Sequence, residues 1–575
     1  MLTLKGNGCA EGAAMGAALV KTAYVPVYTM DRVEDPQAEI AYLDERIASL
    51  AKRLDALYEH TLEESGEEAA ELIESYQMIL MDQTFFDGVR DRIRKTGLNC
   101  KMAIKEACEA CRESFMAISD PYLRERFGDI EDVCFKLVMA CDQVTDALED
   151  VRLTEPTILV ADTLTPMDTV RLDKGFLAGF IVERGGATSH AVILAKTLGI
   201  PAIVGVQAIC SQVKNGSHIM MDAATGEIIV DGDDAAREAF QAILRAGEAA
   251  RETYRKEPLG PAQTLDGVAV EIAVNAGDAD SSQRLDPSLC DGVGLFRTEF
   301  LYMGCQDYPD EETQYQAYRQ VAERMQGKPV IIRTLDIGGD KALDYMGLEQ
   351  EENPFLGYRA IRICLDKPAM FKTQLRAILR ASAHGCVKIM FPMIISLAEI
   401  RQSRALLAEC MVELRQASVP FDENIAVGIM VETPAAVLMA DQLAAQADFF
   451  SIGTNDLTQY VTATDRGNAR VQALYDPFNP AVLRAIYQTG QAATAHHILA
   501  GVCGETASMD HMIPFLIGAG IRELSVSQGA LGKVRYLVRR LSAEQCQAAA
   551  KQIVQDCADS SQARAILAGL IAAIR

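Results

Sequence analysis

The sequence predicts a multidomain α/β protein: a small α/β domain with an inserted helical bundle, then a C-terminal (β/α)8 barrel of the TIM type. Three observations predict it. Between Asp35 and Leu148 apolar residues recur at steps of three and four, the period of packed helices. From about Leu153 short β-rich runs take over. Beyond residue 260, eight apolar runs alternate with helical lengths, the repeat of a parallel barrel.

The bundle comes first in the chain. Ile40, Leu43, Ile47, Leu50, Leu54 and Leu57 form the seam of a long helix, and Asp35 followed by Pro36 supplies an N-cap and a first-turn residue. The stretches "EEAAELIESYQMILMD", "CKMAIKEACEACRESFMAI" and "IEDVCFKLVMACDQV" continue the pattern, with breaks at Gly66 and Gly97. The acidic run "EESGEEAAELIE" reads as a solvated face, or as a face for a basic partner. Cys108 and Cys111 have C-x-x-C spacing, but they fall on one apolar stripe with Ile104, Phe115 and Ile118 and read as core packing.

The small α/β domain follows in "TILVA", "FIVE", "AIVG", "HIMMD" and "EIIVD", and the Gly-rich start of the chain returns to it, which makes the bundle an insertion. The resulting division is 1–34 with 149–230 for the α/β domain, 35–148 for the bundle, 231–260 for a linker helix and 261–575 for the barrel. "PLGPAQTLDG" reads as a linker. The barrel strands are "VAVEIAV", "GVGLF", "PVIIR", "VKIMFPM", "IAVGIMV", "DFFSI", "ILAGV" and "ELSVS".

Composition narrows the function. A net charge of -25 on 575 residues argues against nucleic acid, which is held by Lys and Arg. No stretch approaches the length of a membrane span, and fifteen scattered cysteines suit reduced thiols. The expectation is a soluble, cytoplasmic protein without membrane insertion.

Polar residues sit where barrel strands end: Arg297, Arg333, Glu432, Asn455, Asp456 and Cys503. A barrel builds its active site on that rim. Two carboxylates among arginines suit a hard divalent cation, magnesium first, with a phosphorylated or carboxylated ligand. A lone cysteine is more often inert, and only the rim position of Cys503 in "GVCGE" favours proton transfer.

The motifs "ERGGATSHAVILAKTLGIPAIVG", "GVGLFRTEFLYM", "IIRTLDIGGDK", "EENPFLGYRAIRI", "GIMVETPAA", "DFFSIGTNDLTQYVTATDRGN" and "GVCGE" closely resemble those of the enzyme I family of the phosphoenolpyruvate (PEP):sugar phosphotransferase system. The resemblance implies a swivelling phosphohistidine domain in which His190 accepts the phosphoryl group and Thr169 orients its imidazole. It implies that Glu432 and Asp456 hold Mg2+, that Arg297, Arg333, Arg359 and Arg466 clamp PEP with Asn455 adding a contact, and that Cys503 protonates the enolate. It further implies transfer to the histidine of the phosphocarrier protein HPr, docking of HPr on the bundle, and a homodimer through the barrel. Ala187, Lys196 and Gln77 stand where relatives often carry Arg, Arg and His. Two rivals are an ATP-dependent PEP synthase or dikinase, which needs an ATP-grasp domain before the histidine, and a non-catalytic PEP-binding regulator. The intact residue set argues against the second.

Overall fold

The structure is a computed structural model. It describes residues 1–575 except 11, 22–23, 66, 118–120, 145–147, 149–152, 166–167, 169–174, 185–191, 193–194, 196–198, 278–284, 304, 306, 339–342, 350, 469 and 575. The chain divides into two compact units, residues 1–249 and 250–575.

In the first unit, β1 (Leu2–Lys5), β2 (Asn7–Ala10), β3 (Ala13–Lys21), β4 (Thr157–Ala161), β5 (Leu177–Val182), β6 (Ala202–Val204), β7 (His218–Asp222) and β8 (Glu227–Val230) form one sheet. Its order is β1-β8-β7-β3-β4-β5-β6-β2. The strand β3 pairs in parallel with β4 and antiparallel with β7, so of the first three strands β3 lies at the centre of this sheet and β1 and β2 at its two edges. Strands β4, β5 and β6 are almost wholly buried, which is why they read as continuous apolar runs.

Between β3 and β4 the described residues form five helices: α1 (Pro36–Ser65), α2 (Glu67–Leu80), α3 (Gln83–Thr96), α4 (Cys100–Ala117) and α5 (Pro121–Cys141). The Asp35 carboxylate accepts from the amides of Gln37 and Ala38 at 2.9 and 3.2 Å, capping α1. Ile40, Leu43, Leu50 and Leu54 of the seam are buried, with Ile47 and Leu57 packed against them. The break at Gly97 is a left-handed cap whose N–H bonds to the Ile93 carbonyl. Cys108 and Cys111 are only half-buried. Their apolar stripe runs at the margin of the core, so one turn of helix decides how much of each thiol is covered.

In the second unit, β10 (Ala269–Ala276), β11 (Val293–Arg297), β12 (Val330–Arg333), β13 (Val387–Phe391), β14 (Val427–Val431), β15 (Phe449–Ile452), β16 (Leu499–Val502) and β17 (Glu523–Val526) pair in parallel, each with the next. The return pairing of β17 with β10 closes the barrel. The helices outside it share one large core with the outward faces of the strands. Inside, Leu295, Ile331, Met390, Met430, Phe449 and Cys503 form a smaller cluster, so the barrel is filled rather than hollow.

The segment "PLGPAQTLDG" is not a free linker. It contains β9 (Ala262–Gln263), which pairs antiparallel with β10, and Ala262 and Thr264 are buried. Arg539 donates to the carbonyls of Pro258, Gly260 and Pro261 and pairs with Glu257 at 2.9 Å. Proline and glycine here serve a turn pinned by an arginine from the far end of the chain.

Candidate active site on the barrel rim

Each strand of the barrel delivers its last side chains to one rim. Arg297 and Arg333 are the final residues of β11 and β12, Glu432 follows β14, and Cys503 follows β16. Asn455 and Asp456 lie in the first turn of the helix Thr454–Thr462, after β15. Arg359 comes from the loop before the short helix Ile361–Asp366, and Arg466 from the loop after Thr454–Thr462.

These groups form one charge network. Arg333 donates to Glu299 Oε1 at 2.6 Å and to Asp336 Oδ2 at 2.7 Å, and Arg359 donates to Asp336 Oδ1 at 2.8 Å. Asp336 therefore clamps two arginines with its two oxygens. Arg359 also lies 3.9 Å from Asp456 and bonds the Tyr460 hydroxyl at 3.2 Å, and Arg466 lies 3.6 Å from Asp456 Oδ1. Asn455 accepts from the Glu505 amide at 3.2 Å. Arg333, Asp336, Arg359, Glu432, Asp456 and Cys503 are all buried, whereas Arg297 is half-buried.

The backbone is held in costly shapes to achieve this. Met393 has φ 58° and Ala360 has φ 55°, a region that residues with a side chain enter at a cost of order 1–3 kcal/mol. The Met393 amide donates to Glu432 Oε1 at 2.6 Å, and Ala360 directly follows Arg359. Gly338 has φ 115°, and a Cβ there would lie 2.5 Å from that of Arg359. Only glycine lets the Asp336 loop approach the arginine so closely.

Burial pushes Glu432 up to about 8, with Asp456 and Asp336 adding to the rise and Arg333 and Arg359 opposing it. Burial likewise pushes the Cys503 thiol up to about 11, against the pull of Ser451, Arg333 and Arg297. At neutral pH Cys503 is a protonated thiol, able to donate.

The donor set fits a magnesium ion. Asp456 Oδ1, and the Nε atoms of Arg333 and Arg359, are buried and make no hydrogen bond among the described residues. Among those residues no three His, Cys, Asp or Glu side chains form a metal cage. Magnesium does not require one, because it keeps waters and phosphate oxygens beside one or two carboxylates.

Sequence reasoning missed Glu299, Asp336 and Tyr460. The two carboxylates stand two and three residues beyond Arg297 and Arg333, in "RTEF" and "RTLD", and that spacing was the available signal. His190 and Thr169 lie outside the described residues, as do Ala187 and Lys196. Their described neighbours are β5, which ends three residues before that stretch, and the wholly buried Asp168. Asp168 accepts from Lys21 at 2.5 Å and from the Thr165 amide and hydroxyl at 2.8 and 2.9 Å. Gln77 is described, and donates to Asp55 at 2.7 Å.

Residues 251–543 match the PEP-binding domain of the PEP-utilising enzymes, residues 5–126 their N-terminal domain and residues 153–226 their mobile domain. The phosphoenolpyruvate-protein phosphotransferase of Priestia megaterium is 40% identical over 521 residues, covering 90% of each chain. That of Enterococcus faecalis is 39% identical over 557 residues, covering 96% of this chain and 97% of its own. An NMR structure of an Enzyme I fragment is 30% identical with a TM-score of 0.40, and spans 43% of this chain and 99% of its own. With relatives at this identity along nearly its whole length, and a PEP-binding domain over the barrel, the chain belongs to the phosphoenolpyruvate-protein phosphotransferase family of PEP-utilising enzymes.

Proposed function

We propose that the chain transfers the phosphoryl group of PEP to its own His190, releases pyruvate, and passes the group on to the histidine of HPr. The observation that carries the reading is the barrel rim, where four arginines and two metal-competent carboxylates stand at the strand ends and in the loops beside the buried Cys503 thiol. Arg297, Arg333, Arg359 and Arg466 bind the phosphate and carboxylate of PEP, with Asn455 contributing a polar contact. Glu432 and Asp456 hold Mg2+, which when bound shields the anionic groups from one another and stabilises charge on the transferring group.

The rest of the chemistry belongs to side chains of the chain. A nitrogen of His190, oriented by Thr169, attacks phosphorus as the bond to the enol oxygen breaks. The arginines stabilise charge that spreads over the phosphoryl oxygens and the departing enolate. Asp336 holds Arg333 and Arg359 in fixed directions, so little reorganisation accompanies that step. Cys503 then gives its proton to the terminal carbon of the enolate, forming pyruvate.

The same reading assigns 1–34 with 149–230 to the phosphohistidine domain, 35–148 to HPr docking, 231–260 to a linker helix and 261–575 to PEP binding. It places the protein in the cytoplasm as a homodimer paired through the barrel. Family membership supports these assignments. No helix among the described residues is long and apolar enough to cross a membrane.

The test uses labelled PEP and magnesium without ATP. The expected product is an acid-labile, base-stable phosphoprotein that forms with pyruvate in equal amount and discharges onto purified HPr. Label retained by the His190→Ala variant, or a requirement for ATP, refutes the assignment.

A further inference from the structure

Five of the fifteen cysteines lie on α4 and α5: Cys100, Cys108, Cys111, Cys134 and Cys141. Cys100 opens α4 and Cys141 closes α5, and their sulfurs are 3.5 Å apart. About two turns further along α4 stands Cys108 and about two turns back along α5 stands Cys134, opposite each other between that contact and the Arg112–Glu131 ion pair, with Cys108 packed against the core that contains Cys134. The two contacts lie along one antiparallel seam.

They differ in access. Cys100 and Cys141 are 3% and 8% exposed, a closed pair. Cys134 is also buried, at 5%, but Cys108 is half-buried and reaches the surface. Beside it Arg112, one turn on, pairs with Glu131 of α5. The neighbouring Cys134 thiol holds Cys108 below the usual thiol range, with Arg112 helping and burial and Glu131 opposing, whereas Cys134 itself is pushed far up. Burial raises Cys111, the C-x-x-C neighbour. One accessible sulfur thus has a buried second sulfur against it, on another helix.

We propose that Cys108 and Cys134 form a reversible redox site, at which a low-molecular-weight disulfide such as glutathione disulfide oxidises the pair to a cross-link between α4 and α5. The Cys108 thiolate attacks one sulfur of the oxidant, whose S–S bond breaks and whose other half leaves as a thiolate that takes up the proton Cys108 has lost. Cys134 then loses its proton, and its sulfur attacks the Cys108 sulfur, forming the intrachain bond and expelling the second small thiol. The pair gives up two electrons and two protons, and the oxidant becomes two thiols. The closed bond fixes α4 against α5 in the middle of the bundle, independently of any chemistry on the barrel.

The test is chemical. Full-length protein is incubated with glutathione disulfide, alkylated, digested without reduction and mapped by mass spectrometry. A Cys108–Cys134 peptide is expected, lost on treatment with dithiothreitol and absent from the Cys108→Ser variant. The Cys134→Ser variant is expected to stop at glutathione bound to Cys108, because the second sulfur is gone. A Cys108–Cys111 link in the parent, a stable glutathione adduct on Cys108 in the parent, or unmodified Cys108 throughout overturns the proposal.

Discussion

The two ends of the barrel interior both bury carboxylates, and they manage the cost differently. At the rim, Asp336 accepts from two arginines and Asp456 lies within 4 Å of two more guanidinium contacts. At the base, Glu523 opens β17 beside Glu271 of β10, its register partner, with Lys388 of β13 acting on it as a countercharge. Glu523 is 3% exposed and its Oε1 has no hydrogen-bond partner among the described residues. A carboxylate out of water must be paired or protonated. The rim pairs Asp336 and Asp456 with arginines and leaves Glu432 protonated, pushed up to about 8 by burial with Arg333 and Arg359 opposing; the base has no arginine pair of that kind among the described residues, and Glu523 is pushed up to about 7 by burial and by Glu271, against Lys388.

The largest effect should come from breaking the rim at its metal-competent carboxylates. Glu432→Gln or Asp456→Asn is expected to lower PEP-dependent phosphorylation of the chain by about 10³-fold or more, since each removes one of the two carboxylates assigned to the shielding cation. The thermal midpoint should change little, because Glu432→Gln mimics a carboxyl already pushed up to about 8 and Asp456→Asn keeps the shape of a buried side chain. Phosphorylation within tenfold of the parent, measured with labelled PEP, would separate these residues from the chemistry.

Cys503→Ala comes next. Pyruvate formation should slow by about 10²-fold, the usual worth of a positioned acid, while PEP binding is nearly unchanged. The sign of the pH dependence follows from a thiol raised to about 11. The acid form persists through neutral pH and is lost only as pH rises toward 11, so the alkaline fall in parent turnover should be absent from the variant. Release of free enolate at the parent rate, followed by slow ketonisation in solution, is the expected signature in a coupled assay.

How much of this contrast was legible follows from where each residue lies. All eight barrel strands are readable because parallel strands buried on both faces appear as apolar runs, and the residues directly after them mark the rim. Asp336 and Glu299 are not readable as clamps, because a carboxylate in a loop looks alike whether it faces water or an arginine. Glu523 shows as one charge in the run "ELSVS", and nothing local says that it points inward. The pairing of Cys108 with Cys134 depends on how α4 packs on α5 rather than on the C-x-x-C spacing beside it. The misread linker has the same origin, since Arg539 holds it from more than 270 residues away.

A smaller effect on turnover tests the clamp itself. Asp336→Asn keeps the shape but leaves Arg333 and Arg359 without a shared anion. Orientation is lost while attraction for an anionic ligand rises, so kcat should fall by about tenfold with KM for PEP changed by less than about threefold. A rise in KM alone would mean that Asp336 tunes affinity rather than direction. Asp336→Glu should not restore the parent, because an extra methylene cannot reach both arginines from the tight turn at Gly338.

The base of the barrel offers the smallest effect on turnover and the sharpest test of the comparison. Glu523 packs where Gly294 leaves room: a Cβ on Gly294 would stand 2.7 Å from its Oε1. Burial pushes Glu523 from the ordinary glutamate value of 4.5 up to about 7, so the protonated form is the one that the fold favours. The stability this contributes is full below about 4.5, declines as pH rises through 7, and is absent above it, a swing on the order of 3 kcal/mol. Glu523→Gln mimics the protonated form at every pH. PEP-dependent phosphorylation should be unchanged, while the decline in denaturant midpoint that the parent shows between pH 4.5 and 7 flattens. A Glu432→Gln control should flatten a decline that runs further, toward pH 8, because burial pushes that rim carboxyl up to about 8, so the two variants are told apart by where the parent's decline ends. If the parent and Glu523→Gln lose stability in parallel across that window, Glu523 is ionised in the fold, Lys388 is a sufficient partner, and the two ends of the barrel solve the problem of buried charge in the same way.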